Sequence, residues 1–148
     1  MAVAVTLLHE LTGHGDSLYA LQPGPADDVI LAAGAEGVVA AWALTDPPTA
    51  QGQVRAPATL FALHAVQHSP LWLLGQKDGG LHIVQADTQQ VARSVQAHQQ
   101  AIFALHATPD RLVAISGDGS FSIWDAATYD FIARATISNE SLRALAVH

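Results

Sequence analysis

No cysteine occurs among the 148 residues, so the chain can form no disulfide, no thiolate metal site and no cysteine nucleophile. That absence fits a reducing compartment, and the cytoplasm is the expected location. Charge is nearly as scarce. Charged residues make up 13% of the chain, where soluble domains usually carry about 25%, so little of the sequence can serve as a solvated helix face. Sheets buried on both sides are favoured instead. Basic residues number only 6 against 13 acidic ones, and the net charge of −7 comes with no basic run. A phosphate backbone is repelled by such a chain, which excludes nucleic acid as an expected partner. Long apolar runs are missing too: the opening stretch from Met1 to Glu10 is too short to span a bilayer and has no positive charge before it, so it reads as a strand and no membrane association is expected.

What is present is a 50% hydrophobic composition, sufficient for a globular core, arranged as an internal repeat. Leu18-Tyr19-Ala20-Leu21 recurs as Leu60-Phe61-Ala62-Leu63, as Ile102-Phe103-Ala104-Leu105 and more loosely as Leu142-Arg143-Ala144-Leu145. The offsets are 60−18 = 42, 102−60 = 42 and 142−102 = 40. Independent positions keep the register, with Glu36-Gly37, Asp78-Gly79 and Asp118-Gly119 followed by Trp42, Val84 and Trp124. A period of this length marks a repeat architecture.

Within each repeat, short stretches rich in Val, Ile, Leu and Phe alternate with turn chemistry such as Gln22-Pro23-Gly24-Pro25, Asp46-Pro47-Pro48 and Thr108-Pro109-Asp110. Four strands per repeat are predicted, in the third repeat near 102–107, 111–116, 121–125 and 131–137, with Gly117-Asp118-Gly119-Ser120 as the hairpin between the second and third. Serial four-stranded units of about 40 residues are the signature of β-propeller blades. The expected fold is therefore all-β, a partial propeller of four-stranded antiparallel blades at 14–55, 56–96 and 97–137. Residues 3–11 are expected to form an N-terminal closing strand, and 138–148 to contain the first strand of an incomplete blade, at 142–148.

Ala97-His98 four residues before Ile102, followed by Asp118-Gly119-Ser120-Phe121-Ser122-Ile123-Trp124-Asp125, resembles the WD-repeat motif, and Gly13-His14 with Trp42 marks the first repeat in the same way. The resemblance covers nearly the whole chain. It implies a structural hydrogen-bonded network of histidine, turn aspartate, tryptophan and a serine or threonine, here assigned to His14, Glu36, Trp42, Asp78, His98, Asp118 and Trp124. The departures are specific: Glu36 replaces the aspartate, the hydroxyl position reads Ala32, Leu74 and Ala114, and Ala56 and Val84 replace histidine and tryptophan in the second repeat. The network is thus expected to be incomplete in every repeat.

Three blades and two stray strands do not close a ring, and a seven-bladed ring of such units needs roughly 290 residues. The chain is expected to be about half of a ring, its partner a second chain or a missing half that supplies the remaining blades. A half-ring that pairs with its own copy is less favoured, because it would join a first and a fourth strand without the two between. Function follows as non-catalytic protein binding: no Gly-x-Ser-x-Gly, Gly-x-x-x-x-Gly-Lys or His-Glu-x-x-His occurs. Asp78, Asp110, Asp118 and Asp125 fall at turns, and the pair Asp27-Asp28 reads as a solvated loop. No catalytic residue, cofactor or metal is assigned. The alternative is a propeller enzyme, or one that binds a small ligand or metal in its central channel, and it would draw on His64 and His106, which are offset by 42 on consecutive inner strands. Zinc normally takes three or four ligands, and no carboxylate repeats in that register. His64 and His68 share a spacing that would suit a helix face, but Ser69-Pro70 argues for a turn, while His9, His82 and His148 show no sequence partner. Candidate partner-binding residues are Tyr19, Phe61, Phe103 and Arg143, one per repeat at the start of the innermost strand, with Lys77 on a neighbouring turn.

Overall fold

Alternation of apolar residues in stretches of six or seven, with breakers between them, leaves the backbone one way to satisfy its polar groups, through ladders between neighbours. The computed structural model describes residues 2–147 and contains twelve strands among them. They are β1 (Leu18–Pro23), β2 (Val29–Gly34), β3 (Val38–Ala43), β4 (Thr49–Arg55), β5 (Leu60–Ala65), β6 (Leu71–Gln76), β7 (Gly80–Gln85), β8 (Gln90–Gln96), β9 (Ile102–Ala107), β10 (Arg111–Ser116), β11 (Ser120–Asp125) and β12 (Phe131–Thr136). No helix occurs among the described residues. The strands form three separate antiparallel sheets in the order β1-β2-β3-β4, β5-β6-β7-β8 and β9-β10-β11-β12. Each sheet is a simple meander, and β1, β5 and β9 lie side by side along the inner edge.

Apolar side chains from both faces of the middle sheet bury the two seams. Leu31, Ala33, Val39 and Ala41 of the first sheet pack against Leu63, Trp72, Leu74 and Val84 of the second. Leu73, Leu81 and Ile83 on its other face pack against Leu105, Leu112, Ala114 and Trp124 of the third. The outer strands are left largely to solvent: every residue of β12 is exposed, and so is most of β4 and β8.

A glycine turn ties each sheet to the segment that follows its fourth strand. Gly37, Gly79 and Gly119 have φ of 70°, 90° and 78°, where a side chain is strained. Each also accepts at its carbonyl from the segment leaving the fourth strand, Gly37 from the Ala56 amide (2.7 Å), Gly79 from His98 (3.1 Å) and Gly119 from Ser138 (3.2 Å). A Cβ added at any of the three would run into backbone carbonyls of that segment, so glycine is required twice over.

Two sequence expectations differ from the structure. Residues 3–11 and 138–147 form no strand, and His148 lies outside the described residues. A strand exists only through its ladder, and neither segment belongs to any of the three sheets among the described residues. His68, by contrast, has φ of 57° in a turn, which rules out the shared helix face with His64.

Candidate functional site

The third sheet holds a continuous polar chain in an otherwise apolar seam. His98 is buried, with its Nε2 2.8 Å from Ser122 Oγ and its Nδ1 3.0 Å from Ser120 Oγ and 3.3 Å from Asp118 Oδ2. Trp124 Nε1 donates to Ser122 Oγ at 2.9 Å. Because the indole can only donate, the serine hydroxyl is free to donate to Nε2, and the imidazole proton then sits on Nδ1, facing the carboxylate. Asp118 also accepts from the Gln99 amide (3.1 Å), the Ser120 amide (3.0 Å) and the Ser120 hydroxyl. Burial would push this carboxyl up, but the Ser120 hydroxyl, the two amides and His98 outweigh it and hold the group at about 2. Burial likewise lowers the His98 pKa, against the opposing pull of Asp118. The network of this sheet is therefore complete, contrary to the sequence expectation. Ala114 does occupy the expected hydroxyl position, but Ser122 pairs with Ala114 across the ladder and projects into the same space.

The second sheet solves the same problem with other residues. Ala56 and Val84 bring neither imidazole nor indole, but His82, at the position of Ser122, turns its ring into the blade. Its Nδ1 lies 2.8 Å from Ser94 Oγ. The buried Gln76 carboxamide, oriented to satisfy its neighbours, donates to Asp78 Oδ1 (3.1 Å), accepts from the Ala58 amide (3.1 Å) and contacts His82 Nε2. Burial lowers the His82 pKa. His82 thus has partners that the sequence did not reveal. His9 reaches Asp46 at 3.7 Å, an exposed pair of little energetic weight.

In the first sheet the parts are close but disconnected. His14 Nδ1 is 4.0 Å from Glu36 Oε2, and the Glu36 carboxylate takes the Gly15 amide. Both hydroxyl positions are alanine, since Ala32 pairs with Ala40 in the register where Ala114 pairs with Ser122. His14 Nε2 is buried without a hydrogen-bond partner, beside a cavity of about 480 Å³ lined by Trp42, Ala40, Glu36 and Arg55.

The aromatic positions of the inner strands meet in one row. Tyr19 and Phe61 are edge to face at 4.7 Å, Phe61 and Phe103 are stacked at 5.6 Å with 9° between planes, and the Arg143 guanidinium carbon lies 4.3 Å from the Phe103 centroid. Tyr19 is 52% exposed, Phe61 and Phe103 are half-buried and Arg143 is exposed. Lys77 is exposed on the β6–β7 turn, tied by its amide to the Thr59 carbonyl at 2.9 Å. Further along the inner strands, His64 and His106 stand 5.1 Å apart, and burial, then His106, lowers the His64 pKa. Among the described residues, no group of three or more His, Asp or Glu is placed to hold a metal ion.

Among the described residues, two sheet faces have no further sheet packed against them. Val113, Ile115, Phe121, Ile123 and Ile137 enclose an apolar cavity of about 330 Å³ with Leu142, Ala144 and Leu145. On the opposite side Leu21 is 63% exposed, where its repeats Leu63 and Leu105 are 3% and 8% exposed.

No family model and no curated protein matches the sequence. Among solved structures, U3-55K superposes with a TM-score of 0.79 at 16% identity, over 88% of this chain and 42% of its own. The RRP9 WD40 repeats give 0.78 at 17%, with the same coverage. The computationally designed Ika4 protein gives 0.80 at 23%, over 94% of this chain and 84% of that one. The chain therefore spans less than half the length of the two WD40 structures it matches. Three four-stranded meanders packed face to face about a common inner edge, superposing over 88% of this chain on the two WD40 structures, give this chain a partial β-propeller fold like theirs.

Proposed function

We propose that the chain is a non-catalytic protein-interaction scaffold and that its partner seats on the row of Tyr19, Phe61, Phe103 and Arg143, with Lys77 beside it. The observation that carries this reading is the row itself. Three aromatic rings and a guanidinium, types enriched where binding energy concentrates, run unbroken across three blades while keeping part of their surface open. The polar networks, by contrast, point inward and stabilise the blades. The two uncovered sheet faces support a larger ring, with the remaining blades from a second chain or a missing half. The lack of cysteine supports a cytoplasmic setting. No helix among the described residues is long and apolar enough to cross a membrane.

Melting and partner capture on Phe61→Ala and Phe103→Ala test the proposal. A binding role gives lost capture with a small drop in the midpoint. Loss of roughly 3–5 kcal/mol, as for a buried phenylalanine, would assign both rings to the core and move the search to the exposed loops.

A further inference from the structure

We propose that the partner presents a single anionic group, a carboxylate or a phosphate, to Arg143, on an extended segment whose apolar side chains lie along Phe103, Phe61 and Tyr19. The inference rests on the reading of this row as the partner surface. The chain has only 6 lysines and arginines, and most of the others are on outer strands or already engaged: Arg111 pairs with Asp125 at 3.8 Å, and Arg55 donates to the Glu36 carbonyl at 3.3 Å. Arg143 has neither an ion pair nor a side-chain hydrogen bond among the described residues. Its guanidinium rests on the Phe103 ring instead, 4.3 Å from the centroid. An aromatic face satisfies the plane of a guanidinium but none of its N–H donors, so the fork is held in place with its donors unspent. Such a fork matches the two oxygens of a carboxylate or phosphate.

The carboxylates at this end of the blades do not compete well. Asp118 is taken by His98, Gln99 and Ser120, and Asp78 accepts from the Gly80 amide at 3.0 Å. Lys77 adds a second exposed cation one repeat away: it stands where Gly117 stands in the third blade, and a Cβ at Gly117 would come within 3.1 Å of the Phe103 ring. Glu140, three residues before Arg143, is exposed, and the chain as a whole is acidic. One anionic group flanked by apolar residues fits this setting better than a polyanion.

The test uses three blocked pentapeptides with glutamate, glutamine or phosphoserine between two phenylalanines, titrated into the full chain while the Arg143 Nε–Hε and Phe103 ring resonances are followed. The anionic peptides should bind at least about tenfold more tightly than the glutamine peptide. That margin should vanish in Arg143→Gln, at an unchanged melting midpoint, and persist in part in Arg143→Lys. A preference for glutamate or for phosphoserine tells which anion the site takes. Equal binding of all three overturns the anionic group and leaves the aromatic row as the partner surface. Binding of none overturns the inference, and if Phe103→Ala also leaves partner capture intact, the surface assignment falls with it.

Discussion

Ser122 stands directly opposite Ala114 in the β10–β11 ladder, and its hydroxyl bridges His98 Nε2 and Trp124 Nε1 at 2.8 and 2.9 Å. Side chains facing each other across an antiparallel pair project from the same side, with Cβ atoms about 4.5–5.5 Å apart. A hydroxyl can therefore move from one strand to the other without leaving the buried space that needs it. Only the strand that supplies it has changed.

Ser122→Ala should cost about 1–3 kcal/mol in denaturant unfolding, because it leaves an indole N–H and an imidazole nitrogen buried without a partner. Returning the hydroxyl from the other strand, in Ser122→Ala with Ala114→Ser, should recover most of that loss. Asp118→Ala should cost a similar amount, since it strands the Gln99 and Ser120 amides, while Asp27→Ala on an exposed loop should change little. Equal effects of the two aspartate substitutions would remove Asp118 from the network.

Ala40→Ser should stabilise the first blade, by about 0.5–1.5 kcal/mol for one added hydrogen bond. It places a hydroxyl where Ser122 sits in the third blade, within the space beside the unpartnered His14 Nε2 and Trp42. His14→Phe in the same background should erase the gain. A midpoint that does not rise in Ala40→Ser would mean that the imidazole is already satisfied by water.

Acid should weaken the fold in two stages. His64, His82 and His98 titrate below their ordinary value of 6.5 in the folded state, chiefly through burial. A lowered folded pKa means that the unfolded chain binds the proton more readily, so their contribution is fully present above 6.5 and is lost as the pH falls through the folded values. Asp118 acts lower down, with its contribution present above its ordinary 3.8 and lost towards about 2. His64→Gln should flatten the first stage in unfolding curves taken between neutral pH and pH of about 5, because it removes both the buried imidazole and its repulsion with His106. A slope unchanged by His64→Gln would place the proton uptake on His82 and His98.

How much of this was legible in the sequence depends on whether a residue acts through the repeat or through its neighbours. Repeat register placed the third-blade strands to within a residue of Ile102–Ala107, Arg111–Ser116, Ser120–Asp125 and Phe131–Thr136, because strand and turn chemistry are local. It also brought Tyr19, Phe61 and Phe103 to equivalent positions, from which their stacking follows. What register could not show is substitution across a strand pair. Ser122 and His82 share one repeat position that the resemblance does not mark, because it places the hydroxyl on the second strand. Their signal is a polar residue between two apolar ones, His82 between Leu81 and Ile83 and Ser122 between Phe121 and Ile123, at the place that faces the missing hydroxyl. Apolar content points to a strand at 3–11 and repeat register to one at 142–148, but pairing needs a neighbour, and neither 3–11 nor 142–147 has one among the described residues.

The uncovered face of the third blade should make the isolated chain associate. Leu73, Leu81 and Ile83 are fully buried under the next blade, while their repeats Val113, Phe121 and Ile123 are only half-covered, by Leu142 and Leu145 beside the 330 Å³ cavity. Leu21 and Leu18 on the first blade are exposed for the same reason. Contiguous apolar patches of several hundred Å² are rare on monomers and mark interaction sites or aggregation liabilities, and the exposed edges of sheets add unpaired backbone groups. Sedimentation at micromolar concentration should show species larger than a monomer. Phe121→Lys should shift the distribution towards monomer while the melting midpoint falls only modestly, because the ring packs against no other sheet, only against the segment of Leu142 and Leu145. If a second chain supplies further blades, as proposed, adding it should do the same without mutation, by covering the face. A soluble monomer at all concentrations, with no second fragment present, would mean that residues 142–147 already close this face well enough and that no further blade is needed.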